Sequence, residues 1–179
     1  MNYYYFAASL PSVTLDAAPP LSLAQFLNRC REHLNTDDLA AVRLLAEGAD
    51  SPAPHPFVQA WLERETLLRN ALVRIRAARL RCEATPYLHP IEASDSSLDK
   101  AVADALARPT PLERELELDR VRWNQAAQLA GFNPFSMDAL FAYTIKLKLA
   151  ERWASLNEQA GRDKIHAIET QPPATGPAS

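Results

Sequence analysis

Residues Thr110-Pro111-Leu112-Glu113 constrain the fold of this chain more than any other four. A threonine hydroxyl can accept from the third amide of a helix, and a glutamate at that third position can reach back to the threonine's own amide. Proline at the first helical position has its φ already set and strands no amide. The spacing predicts a helix running from Pro111 to a glycine stop at Gly131. Glu113, Glu115 and Glu117 come early and Arg120 and Arg122 later, the order that the helix dipole favours. Leu112, Leu116, Trp123, Ala127 and Ala130 share one face.

The same punctuation recurs along the chain. Ser22 with Gln25 is a capping box ahead of Leu23, Phe26, Leu27 and Cys30, and that helix fades near Asn35. Thr36 or Asn35 caps the next, with Asp37 and Asp38 in its first turn and Gly48 as its stop, so the two form a short hairpin. After a proline-rich loop at Asp50–Pro56, one long helix is expected from Phe57 to about Glu83. Its Phe57, Trp61, Leu68, Leu72 and Ile75 fall within about 60° of one another. Asp95 or Ser96 caps a helix carrying Leu98, Val102, Ala105 and Leu106, which ends before Pro109. Ser136 opens the last long helix, expected to run to Glu158, with Met137, Phe141, Ile145, Leu149, Trp153 and Leu156 on one ladder. Leu140, Tyr143, Leu147 and Ala150 widen that ladder, which makes this helix central to a bundle or in contact on two sides. Gly161 interrupts it, with Ile165 and Ile168 as a continuation.

Composition agrees. Leucine occurs 25 times and alanine 31 times, against 11 for valine plus isoleucine, which favours helix and leaves little for a large sheet. The expectation is an all-α chain, one helical domain of about six helices over residues 1–170, two of them long, with a short aromatic amino-terminal segment. Residues 171–179, rich in proline and small residues, are expected to form a disordered, dispensable tail.

Four consecutive aromatics, Tyr3, Tyr4, Tyr5 and Phe6, open the chain as a short strand or the first turns of a buried helix. Leaving all four wet would expose a large apolar patch, so they are expected to be buried in the fold or beneath a partner. Arg79 falls in phase with Trp61, Leu68, Leu72 and Ile75, and Arg76 lies about 60° away. A guanidinium on an apolar stripe needs a carboxylate, within the domain or on a partner, unless the helix has left the core. A carboxylate partner is expected for Arg79. Arg74 and Arg81, seven residues apart, share a solvated face. Tyr3, Tyr4, Tyr5, Arg76 and Arg79 are therefore the candidate partner-binding residues.

Several chemistries lack their residues. Four glycines, none clustered, make no phosphate-cradling loop or dinucleotide fingerprint. Nucleophile elbows, His-Glu-x-x-His, Cys-x-x-Cys and calcium-loop spacings are absent. Cys30 and Cys82 stand apart as two free thiols, as in a reducing cytoplasm, and His33, His55, His89 and His166 are scattered, so no metal or cofactor is expected. A net charge of −3 gives no general attraction to nucleic acid, and no apolar run is long enough to span a bilayer.

The opening Asn2-Tyr3-Tyr4-Tyr5-Phe6-Ala7-Ala8-Ser9-Leu10-Pro11, with Leu15-Asp16, Pro20, Ser22 and Phe26, pairs with the late Lys146-Leu147-Lys148-Leu149-Ala150-Glu151-Arg152-Trp153. Together these segments resemble an uncharacterised bacterial family encoded among genes of V/A-type ATPases, over about residues 1–170. The resemblance implies a non-catalytic subunit or accessory factor of the rotary ATPase, in the role of the helical C subunit (d in eukaryotes) between stalk and rotor ring. It would be cytoplasmic, peripheral to the inner membrane through the ATPase, and would act through helix faces. A free-standing helical adaptor or regulator is the alternative.

Overall fold

A computed structural model describes residues 3–48, 55–91 and 93–156. Among these, every regular element is helical: α1 (Tyr3–Ser9), α2 (Leu23–His33), α3 (Thr36–Glu47), α4 (Pro56–Leu80), α5 (Ser96–Leu106), α6 (Pro111–Ala130) and α7 (Met137–Ser155). A 3-10 turn at Thr85–Tyr87 lies between α4 and α5. The aromatic amino terminus is helix rather than strand. The readings of Gly161, Ile165, Ile168 and the tail fall outside the described residues.

The caps sit where the side chains can make them. Ser22 with Gln25 and Thr110 with Glu113 form reciprocal capping boxes, and Asn35, Asp95 and Ser136 each accept from a first-turn amide. His55 does the same at α4 through Nδ1, which accepts from the Phe57 amide at 3.1 Å, with Pro56 in the first helical position. Gly48 closes α3 in the left-handed region at φ 75°. The end of α4 comes earlier than expected. Arg81 takes the left-handed conformation at φ 54°, and the Cys82 amide donates back to the Ala77 carbonyl, which turns the chain before Glu83.

Two apolar clusters hold the helices. The larger gathers Phe6, Phe26, Cys30, Val42, Leu45, Phe57, Trp61, Phe141, Ile145 and Leu147 from α1, α2, α3, the start of α4 and α7. The smaller joins Leu68 and Ala71 of α4 to Leu98, Val102, Ala105 and Leu106 of α5 and Leu118 of α6. The long stripe on α4 is thus divided: Phe57 and Trp61 serve the first cluster, Leu68 the second, and Leu72 and Ile75 pack half-buried at the second. Asn70, buried, fastens the loop beyond α4 to it: its Nδ2 donates to the His89 carbonyl and its Oδ1 accepts from the His89 amide, both at 2.9 Å.

α7 is the central helix, with its largest contact along α6 and further contacts to α3 and α2. Leu140, Phe141, Ala142, Thr144, Ile145, Leu147, Leu149 and Ala150 are all buried. Its ladder stops short of the expected end: α7 finishes at Ser155, and Leu156 is exposed. The face that α6 buries most deeply is not the one its apolar spacing marks. Leu112 is exposed and Leu116 and Trp123 only half-buried, while Leu118, Asp119, Gln125 and Ala126 are buried. The helix is rotated by roughly 100°, one residue's turn, from the face its apolar spacing marks. On that side Ala126 packs into the larger cluster and Leu118 into the smaller, and Asp119 is paired between them.

Candidate functional site

Asp119 projects from the middle of α6 with no exposed surface. Burying a carboxylate is costly unless it is paired and hydrogen-bonded, and here three donors converge on it. Arg122, one turn along α6, donates to Oδ1 at 2.8 Å. From α7, Arg152 and the Trp153 indole donate to Oδ2 at 3.0 and 2.9 Å. Arg122 turns its Nε to Glu65 of α4 at 3.0 Å, and Arg152 reaches Glu115 at 3.4 Å. Burial pulls the Arg122 pKa down, but the charges of Glu65 and Asp119 outweigh it and leave the net shift upward.

This network forms one wall of a cleft of about 860 Å³ between α3, α4, α6 and α7. Trp61, Leu62, Leu44, Leu45 and Leu149 supply an apolar side. Lys148 enters from α7 with its Nζ 3.4 Å from the Leu45 carbonyl, in the last turn of α3. Burial lowers the Lys148 pKa, and the charge of Glu65 offsets part of that. Arg69 and His89 also line the cleft.

The opposite side of α7 faces a different surface, since residues two apart on a helix point about 200° apart. Tyr143 donates to the Pro11 carbonyl at 3.0 Å and ties the α1–α2 connection to α7; burial raises its pKa to about 12. Lys146 lies over the Trp123 ring at 5.2 Å. Two shallow grooves flank Pro134 here. Around them the chain exposes aromatic rings: Tyr5 at 74%, Tyr4 at 49% and Phe132 at 106% of full exposure. Tyr4 packs on Phe135 at 4.3 Å and edge-on against Tyr5 at 5.6 Å, so α1 and the α6–α7 connection form one aromatic surface.

The candidate residues named from sequence separate accordingly. Of the opening aromatics with described side chains, Phe6 is in the core, against Phe26 and His33, while a helix turns its neighbours Tyr4 and Tyr5 away. Tyr4 and Tyr5 face solvent, and the side chain of Tyr3 lies outside the described residues. Among the described residues the partner of Arg79 is a carbonyl rather than a carboxylate: its Nη2 donates to the Leu106 carbonyl at 3.2 Å, at the last residue of α5. α4 has left the core by then, and the negative end of α5 takes the charge. Arg76 is exposed on the same stretch, and Arg74 pairs with Asp99 at 3.6 Å on the surface. None of these residues meets the cleft. Each of its charged groups reads in the sequence as an ordinary helix-surface residue; the signal for them is the Lys148-Leu149-Ala150-Glu151-Arg152-Trp153 segment, which supplies Lys148, Arg152 and Trp153.

The carboxy-terminal part of this site lies in a segment that matches a sequence-family model. Residues 96–171 match the model for a protein family of unknown function, DUF2764. The match spans α5, α6 and α7, and so includes Asp119, Arg122, Lys148, Arg152 and Trp153. Glu65, Arg69 and the Trp61 wall come from α4, outside the matched residues. No curated protein and no solved structure matches the chain. Among the described residues, no helix is long and apolar enough to cross a membrane, and no group of three or more His, Cys, Asp or Glu could hold a metal ion.

Proposed function

We propose that the chain is a non-catalytic, protein-binding helical subunit, an accessory factor of a bacterial V/A-type rotary ATPase. The observation that carries the binding part is the aromatic surface of Tyr4, Tyr5, Phe132 and Phe135. Exposed aromatic rings grouped beside grooves mark protein contacts, since they bury much area at little entropic cost. The ATPase assignment is supported by the resemblance of the Asn2–Phe26 and Lys146–Trp153 segments to the family encoded with such enzymes. In this role hydrolysis belongs to other subunits, and the chain fixes geometry through its helix faces. The carboxylates best placed for chemistry, Glu65 and Asp119, are engaged by arginines, which suits a structural assignment for them.

The test is purification of the tagged chain from native membranes. The ATPase subunits should accompany it at fixed stoichiometry. The Tyr5→Ser/Phe132→Ser double variant should lose them while its melting temperature stays unchanged, because both side chains are already in water. Recovery of the wild-type chain free of ATPase subunits would overturn the assignment in favour of a free-standing adaptor.

A further inference from the structure

The cleft carries more positive charge than its own carboxylates neutralise. Arg69, Arg122, Lys148 and Arg152 line it, against Glu65 and Asp119. Both carboxylates are committed: Asp119 to Arg122 and Arg152, Glu65 to Arg122. Among the described residues, neither Lys148 nor Arg69 has a carboxylate within ion-pair distance. Lys148 is half-buried, and its hydrogen bond goes to the Leu45 carbonyl at the negative end of α3, whose partial charge answers only part of the ammonium's. An ammonium held this way out of water gains from a counter-ion. The size of the cleft is that of a small-molecule site, and its composition has the same character: an apolar wall at Trp61 and Leu62 facing a few convergent charges.

We propose that this cleft binds a small amphipathic oxyanion, its carboxylate or phosphate head held by Lys148 and Arg69 and its apolar body against Trp61 and Leu62. The Asp119 network then has a positioning task. It locks α6 to α7 and keeps Arg122 and Arg152 from neutralising the head in place of Lys148. The site lies across α7 from the aromatic surface, so it stands independently of the ATPase assignment.

Titration calorimetry of the full chain tests this with three probes: hexyl phosphate, hexanoate and inorganic phosphate. Hexyl phosphate or hexanoate should bind saturably at one site per chain, and whichever binds tighter identifies the head group. Inorganic phosphate should bind at least tenfold more weakly than hexyl phosphate, for want of the apolar contact. Lys148→Gln and Arg69→Gln should each weaken the better probe by about tenfold, with unchanged helical circular dichroism. Arg69 is exposed, so its variant keeps the test open if Lys148→Gln fails to fold. Absence of saturable binding by both hexyl probes would overturn the proposal. So would affinities that Arg69→Gln, or a folded Lys148→Gln, leaves unchanged.

Discussion

Asp119 and Arg79 show how differently two charged residues can be held in one small protein. Asp119 is wholly buried, and its cost is offset by Arg122, Arg152 and the Trp153 indole together. Removing the carboxylate leaves those donors facing each other. Asp119→Ala should therefore cost about 3 kcal/mol, the lower end for a broken buried pair, because Arg152 is half-exposed and can rehydrate. Arg79 only touches the end of α5, so Arg79→Ala should cost about 0.3–1 kcal/mol, the range for a cation at a helix carboxy terminus. Urea unfolding of the two variants side by side checks the contrast; a loss at Arg79 as large as that at Asp119 would contradict it.

At the scale of the element, the termini carry the argument. The first turns are set by side chains next to them in sequence, and the structure has Ser22, Asn35, Asp95, Thr110 and Ser136 as caps. The end of α4 is the exception, since Arg81 occupies a left-handed conformation that an L side chain adopts only at a cost. Glycine relieves that cost at the residue after a helix, as Gly48 does after α3. Arg81→Gly should raise stability by about 0.5–1 kcal/mol, visible as a higher urea midpoint at unchanged slope. A lower midpoint would mean that the Arg81 side chain holds something its exposed position does not suggest.

For the molecule as a whole, a buried thiol and a half-buried phenol couple folding to alkaline pH. Burial pushes the Cys30 thiol up from 9.0 to about 12 and the Tyr143 phenol up from 10.0 to about 12. Both hold their protons more tightly folded than unfolded. Their contribution is complete below about pH 9, where both states are protonated. It is lost as pH rises through 9 to about 12, where the unfolded chain releases protons that the folded chain retains. Melting temperatures should therefore fall across that window, and Cys30→Ala/Tyr143→Phe should flatten the fall. An equal fall in the double variant would remove these two groups as its source. Tyr143 also ties α7 to the segment between α1 and α2, since its hydroxyl donates to the Pro11 carbonyl.

Local sequence determined the helices. Caps, breakers and 3.6-residue ladders act over a single turn, so Thr110-Pro111-Leu112-Glu113 specifies the start of α6 whatever surrounds it. The same locality explains why Ser22 and Gln25, or Gly48, were legible. Which face of α6 turns inward was not a local matter. Its apolar spacing points to Leu112 and Trp123, yet Asp119 is buried, because its partners stand about thirty residues away on α7 and are brought to it only by packing. The fate of Tyr4 and Tyr5 was equally non-local: the packing of α1 turns Phe6 into the core and leaves Tyr4 and Tyr5 exposed. The cleft depends most on tertiary structure. Lys148, Arg69, Glu65 and Trp61 come from two helices far apart in the chain, and they line one cavity only because α7 lies at the centre of the bundle.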